Sequence, residues 1–138
     1  MSTARQEPAR HYVTLKAAVW KGDRLLLVHE DTGESDLPGG RIERDESIEQ
    51  GLRREIREEL GVEIAQLSPL PTKVWATRNA DGVGVVGILY EAELASLRFE
   101  HTGEVVGASF LGYEELLAAR GGVHKPFIVE YFRDRRGP

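Results

Sequence analysis

In the stretch GRIERDESIEQGLRREIREELGV, Gly40 to Val62, the residues Glu55, Glu58 and Glu59 stand at i, i+3 and i+4. On an α-helix that spacing gathers three carboxylates within an arc of roughly 100°. A solvated acidic face would also place glutamates here, but three features argue against it. Like charges at this spacing cost about 0.2–0.5 kcal/mol per pair, and here the signs do not alternate as they do on a solvating face. Anions in a last helical turn oppose the macrodipole by roughly 0.3–1 kcal/mol each, and Glu58 and Glu59 immediately precede Leu60-Gly61, which ends the helical pattern. Gly51 lies one turn before Glu55 on the same arc, where alanine would gain about 1 kcal/mol. Close approach of a ligand and tight helix-to-sheet packing both explain a missing side chain there. A hard divalent cation, Mg²⁺ or Mn²⁺, turns the repulsion into a coordination shell, because such ions take oxygen ligands and Mg²⁺ shares its shell with phosphate and water. Arg54 precedes Glu55 by one position and Glu58 by four, so its fork can reach Glu58, fold back to orient a carboxylate of the preceding loop, or form an ordinary surface pair.

Those carboxylates need a helix, and the helix needs a floor. Ile48, Leu52, Ile56 and Leu60 recur every four positions, which predicts a helix over 47–60. Asp45, Glu46 or Ser47 can cap its start, and Gly61 suits a left-handed position past its end. Upstream, YVTLKAAVW (12–20) and RLLLVHE (24–30) read as a hairpin joined by Lys21, Gly22 and Asp23. DTGESDLPGG (31–40) is turn chemistry leading into the helix, a place where function tends to sit. Downstream, strands are expected at 62–67, 73–78, 83–94 and 104–111, a turn at 101–103, a short helix at 113–119, and a terminal helix with the apolar stripe Phe127, Ile128, Tyr131 and Phe132. Without regular βαβ alternation, a mixed sheet flanked by helices fits better than a doubly wound parallel sheet.

The 138 residues suit one domain, expected over 11–138 behind a flexible, polar N-terminal arm at 1–10. A content of 41% hydrophobic and 30% charged residues, with no apolar run near the ~20 residues of a membrane span, excludes a disordered or membrane-embedded class. The chain holds no cysteine and opens without an apolar signal segment, so a cytoplasmic address is expected. A net charge of −5 disfavours long nucleic acid as a partner, and an anionic ligand needs a local cationic device.

Read as G-x5-E-x7-R-E-U-x-E-E-x-G-U, with U aliphatic, the stretch resembles the Nudix box at Gly40, Glu46, Arg54, Glu55, Ile56, Glu58, Glu59, Gly61 and Val62. Every fixed position is filled, and at residue frequencies of roughly 5–7% chance would do this on the order of once in a billion start positions, which overrides the solvated-face reading. The opening hairpin, the LPGG loop, the EVVGASFL strand with GYEELL, and the terminal helix extend the likeness over most of 12–133. Two departures, Gly51 where the family commonly has alanine and Asp45 where it often has glycine, leave the acids untouched.

The resemblance implies an α/β fold, the Nudix-type α/β/α sandwich with a mixed β-sheet, and hydrolysis of a nucleoside diphosphate linked to a group X. By the same analogy Glu55, Glu58 and Glu59 ligate Mg²⁺ or Mn²⁺, the carbonyl of Gly39 or Gly40 adds a ligand, and Glu46 and Arg54 hold the constellation in place. The general base is either a glutamate of the box or a downstream loop glutamate, for which Glu104 matches the family position and Glu100 is the weaker alternative; for Glu104 a solvent-facing strand role is the competing reading.

Substrate choice falls to residues outside the box. Trp75, Arg78 and Tyr12 are candidates, because an aromatic beside a basic residue can stack on a base and hold a phosphate or ribose, while core packing competes for Trp75 and Tyr12. Trp20 reads as hairpin packing, and His124 and Lys125 read as a polar loop that would otherwise reach an anion. The proline and tyrosine that mark ADP-ribose and dinucleoside-polyphosphate hydrolases are missing from 77–80, which disfavours those substrates. The expected partners are a small nucleotide and, in a homodimer, a second copy of the chain. A non-catalytic nucleotide sensor on the same fold is the rival reading; silent members usually lose a box glutamate, and none is lost here.

Overall fold

The computed structural model describes residues 6–137. Of the expected arm, 1–5 lie outside the described residues, and 6–10 are exposed and form neither helix nor strand. Among the described residues twelve elements follow: β1 (His11–Ala18), β2 (Trp20–Lys21), β3 (Arg24–Glu30), β4 (Ser35–Asp36), β5 (Gly39–Arg41), α1 (Ile48–Leu60), β6 (Ile64–Leu67), β7 (Lys73–Arg78), β8 (Gly84–Leu94), β9 (Val105–Leu111), α2 (Tyr113–Ala118) and α3 (Lys125–Arg136).

The strands form two sheets. The larger runs β5-β1-β8-β6, with β7 also on β8, and it is mixed: β1 and β8 are parallel while the other pairs are antiparallel. The smaller, β2-β3-β4 with β9 on β3, is antiparallel throughout. The expected 12–20 strand is therefore split. Residues 11–18 pair with β5 and β8, and only Trp20 and Lys21 form the hairpin with Leu25 and Arg24. Val19 is the crossing point, its carbonyl accepting the Leu26 N–H at 2.9 Å. The burial pattern hides this division, because residues 14–19 are buried on both faces, Thr14 and Lys16 included, and nothing in the pattern marks where one sheet ends.

Burial on both faces gives the layers. Leu15, Ala17, Val19, Leu26 and Val28 pack with Leu52, Ile56 and Leu60 of α1. Their neighbours Ala18, Leu25 and Leu27 pack the other way, with Leu116 of α2 and Ile128, Tyr131 and Phe132 of α3. The result is an α/β/α sandwich around the two sheets, the larger of them mixed.

The local chemistry of α1 follows its sequence. Ser47 is the N-cap: its hydroxyl accepts the Gln50 N–H at 3.1 Å, and the Gln50 side chain accepts the Ser47 N–H at 2.9 Å. Asp45, where relatives often carry glycine, sits at φ 67°, a left-handed conformation that aspartate tolerates better than most side chains. Gly51 is explained by packing: a Cβ there would lie 3.0 Å from both a Leu15 methyl and a Glu46 oxygen.

Candidate active site

Arg54 organises the acidic face of α1. Its Nε and Nη2 donate to the two oxygens of Glu46 at 2.6 and 2.9 Å, and its Nη1 donates to Glu55 at 2.9 Å and Glu58 at 3.2 Å. Nη2 also reaches the Arg41 carbonyl at 3.1 Å, which fastens the helix to the end of β5. These charge-assisted bonds, with the Glu43 N–H as second donor, hold the Glu46 carboxyl down at about 2.

The glycines before the helix are demanded by contact. Gly39 has φ 141°, and a Cβ there would fall 1.9 Å from the Leu15 carbonyl oxygen. At Gly40 a Cβ would meet the Glu55 carboxyl carbon at 2.5 Å. The Gly39 N–H donates to Glu59 Oε1 at 2.6 Å. Burial nevertheless pushes Glu59 up to about 7, offset by that N–H and by Lys16 and reinforced by Glu55 and Asp36. Glu55 is also raised by burial, against the pull of Arg54.

These residues face a cavity of about 440 Å³ lined by Glu30, Gly39, Glu55, Glu58 and Glu59 and closed by the segment 102–105. That segment is tied to the end of α1: the Glu100 N–H donates to the Leu60 carbonyl at 2.9 Å, and the Thr102 hydroxyl donates to the carbonyl of Glu58. Glu104 therefore faces the box glutamates, from a turn that precedes β9. Glu100 packs against Gly61 behind the helix end and does not line the cavity. Glu30, which no spacing in the sequence marks, does line it; burial and Asp36 raise its carboxyl. A larger cavity of about 470 Å³ lies against Trp20, Glu91 and Arg135, where Arg135 pairs with Glu91 at 3.0 Å, and it contains none of the box residues.

Among the described residues no three His, Asp or Glu side chains converge tightly enough to chelate an ion as they stand. The donor set still fits a hard cation. Five carboxylates share one cavity, no sulfur competes, and Gly40 leaves the Glu55 carboxylate unobstructed.

The candidates outside the box are dispersed. Trp75 is 6% exposed and lies over Gly87, where a Cβ would come within 2.2 Å of the indole. Its ring stacks on Phe127 at 5.3 Å and 7°, and its N–H donates to His124 Nδ1 at 3.0 Å. The indole is core packing and offers no face to a base. Since indole only donates, His124 must accept at Nδ1 and carry its proton on Nε2. Burial, then Lys16, pushes that imidazole down to about 4. Lys125 does not form a free polar loop either: its ammonium clasps the carbonyls of Leu117 and Ala119. Arg78 donates to the Gly82 carbonyl at 2.9 Å and, three positions beyond Trp75 on the same strand, projects from the opposite face of the pleat. Tyr12 alone of the three presents an aromatic surface: it is 51% exposed, with the Arg41 guanidinium 4.0 Å from its ring centre. Trp20 packs against α3, its N–H donating to the Tyr131 hydroxyl at 2.8 Å.

The NUDIX domain family matches residues 11–131 by its sequence profile. The chain belongs to the Nudix hydrolase family. A curated MutT-like protein from Streptomyces ambofaciens is 41% identical over 59 residues, which is 41% of this chain and only 38% of that protein. Among solved structures, a NUDIX hydrolase from Nitrosomonas europaea superposes with a TM-score of 0.76 at 22% identity, over 91% of this chain and 90% of that one. A MutT protein from Methanosarcina mazei Go1 gives 0.78 at 19% identity, over 96% and 100%. These structural likenesses show the Nudix fold. Among the described residues no helix is long and apolar enough to cross a membrane.

Proposed function

We propose that this Nudix protein is a pyrophosphohydrolase that cleaves the diphosphate bond of a nucleoside diphosphate linked to a group X, with water attacking phosphorus. The observation that carries this reading is the single cavity shared by Glu55, Glu58, Glu59 and Glu104. In it Glu55, Glu58 and Glu59 would hold Mg²⁺ or Mn²⁺, with the carbonyl of Gly39 or Gly40 as a further ligand. Such a cation, when bound, neutralises charge on the diphosphate and lowers the pKa of water beside it.

The chain's own groups supply the rest. Arg54 and Glu46 keep the carboxylates in register through their paired hydrogen bonds at 2.6 and 2.9 Å. Glu104, on the segment tied to α1, and Glu59, half-buried on the opposite wall, are the two candidates for accepting the proton of the attacking water. Tyr12 under Arg41 is the aromatic surface left open for the base or the X group. The partner is then a small nucleotide, in keeping with a cytoplasmic address, and a homodimer is the assembly to test alongside the monomer.

The test is release of nucleoside monophosphate from a panel of nucleoside triphosphates, nucleotide sugars, ADP-ribose and dinucleoside polyphosphates, with and without Mg²⁺ or Mn²⁺. Metal-dependent turnover of at least one is expected. Changing groups around a metal site commonly costs roughly 10–100-fold, and Glu58→Gln should lose at least that. Activity unchanged by Glu58→Gln sinks the ligand assignment. Metal-dependent binding with no turnover favours the sensor reading.

A further inference from the structure

The backbone around Glu30 is fixed in place by its neighbours. The β3–β9 pairing shifts between His29 and Glu30, which meets Val105 beyond the irregularity. Irregularities of this kind re-aim side chains, and they recur beside active sites. The imidazole of His29 is pinned on both sides, 2.7 Å from the Ser35 hydroxyl and 2.6 Å from that of Ser109. Just past it, the Asp31 N–H donates to the Glu104 carbonyl at 2.9 Å, which holds Glu30 and Glu104 on one wall.

The cavity therefore has carboxylates on both walls, and among the described residues no lysine or arginine lines it. The cations nearby are committed elsewhere. The Lys16 ammonium is buried on Asp36 at 2.9 Å and the Leu37 carbonyl at 3.3 Å. Arg54 is spent on Glu46, Glu55 and Glu58.

Resting on the hydrolase reading above, we propose that Glu30 is a specificity residue that selects by charge: it favours diphosphates whose second phosphate is esterified and disfavours nucleoside triphosphates. A terminal phosphate monoester carries about −1.5 to −2 at neutral pH, so a triphosphate brings roughly two more charges than a diphosphate diester of the same nucleoside. In this cavity the extra charge meets Glu30 with no cationic side chain in the lining, and the field of the nearest ammonium, Lys16, is already shared among Asp36, Glu30, Glu55 and Glu59. Across a partly wet, salt-screened site, the single charge of Glu30 acting on those roughly two added charges is worth roughly fivefold in all.

The experiment compares kcat/KM on pairs sharing a base, UDP-glucose with UTP, GDP-mannose with GTP, CDP-choline with CTP and ADP-ribose with ATP, for wild type, Glu30→Gln and Glu30→Lys. Thermal unfolding confirms that each variant is folded. Wild type should favour the diphosphate ester in the pairs it turns over. Glu30→Gln should shift the ratio toward the triphosphate by roughly fivefold and Glu30→Lys by roughly 25-fold, the shift shrinking as salt is raised. Calorimetric binding of the same pairs gives the ratio even if wild type turns over none, an outcome that would sink the hydrolase reading alone. A wild type that prefers triphosphates, or ratios unmoved in both variants, overturns the proposal. So does an equal fall on both members of a pair together with weaker Mn²⁺ binding in direct titration, since that outcome makes Glu30 a metal ligand.

Discussion

Alanine at position 39 and alanine at position 40 should fail in opposite ways, although the two glycines are adjacent. At Gly40 the new Cβ would lie 2.5–2.6 Å from the Glu55 carboxyl group, whereas ordinary contact begins at 3.4 Å. The carboxyl must therefore retreat by about 0.9 Å. It is the end of a flexible side chain, so the fold can comply, at the expense of the 2.9 Å bond from Arg54. Losing one such bond on a partly exposed pair changes stability by about 1 kcal/mol. A misplacement of about 1 Å in a catalytic constellation costs on the order of 10²-fold in rate. At Gly39 the obstacle is backbone: the Cβ would fall 1.9 Å from the Leu15 carbonyl oxygen, at a φ of 141° that side chains rarely adopt. That conformation alone costs about 1–3 kcal/mol, and the clash adds to it because β1 and β5 are paired at this point. A loss of about 3 kcal/mol in a domain of this size lowers Tm by roughly 10 °C. Circular-dichroism melting alongside kcat/KM on the best substrate separates the two. Gly40→Ala with wild-type kcat/KM, or Gly39→Ala with wild-type Tm, refutes the contact reasoning.

His124 makes stability depend on pH in a predictable direction. Its folded-state pKa, lowered to about 4, lies below the ordinary imidazole value of 6.5, so the unfolded chain takes the proton first. The contribution of the neutral ring is complete above about pH 6.5, is lost progressively as pH falls toward 4, and levels off below that. Lys16 and Asp36 face the ring with opposing effects already contained in that shift. The loss amounts to at most about 3 kcal/mol, and denaturant midpoints across this range should flatten in His124→Gln; an unchanged slope in that variant assigns the dependence to other groups. Trp75→Ala should cost about 3–5 kcal/mol as a buried aromatic truncation. Trp75→Phe should leave KM unchanged, and a raised KM at wild-type Tm would restore the indole as a ligand surface.

The parts of this site legible in the sequence are those that depend on near neighbours. Glu55, Glu58 and Glu59 converge because a helix turns every 3.6 residues, and the capping of that helix by Ser47 and Gly61 is equally local. Arg54 reaches Glu46 and Glu58 over 8 and 4 positions, one through the folded-back loop and one along the helix. What could not be read depends on register between distant strands. Trp75 is internal because β7 sets it opposite Gly87 on β8, and no feature of KVWATR by itself says which face of the pleat is covered. The split at Val19 escapes for the related reason that both faces are buried, so the hydrophobic pattern carries no phase.

Glu30 is the case with most consequence for function. Its position in the cavity comes from a pairing irregularity with a strand that begins 75 residues later, at Val105. The acid set is thus built by two routes: a helix that the motif specifies, and a facing wall that only the β3–β9 register assembles. A motif of the first kind shows how a cation would be held, whereas on the proposal above the second would decide what charge the cavity tolerates beside it. Two chains with identical boxes can therefore differ in substrate through a residue at the end of β3, which is where sequence comparison restricted to the motif would not look.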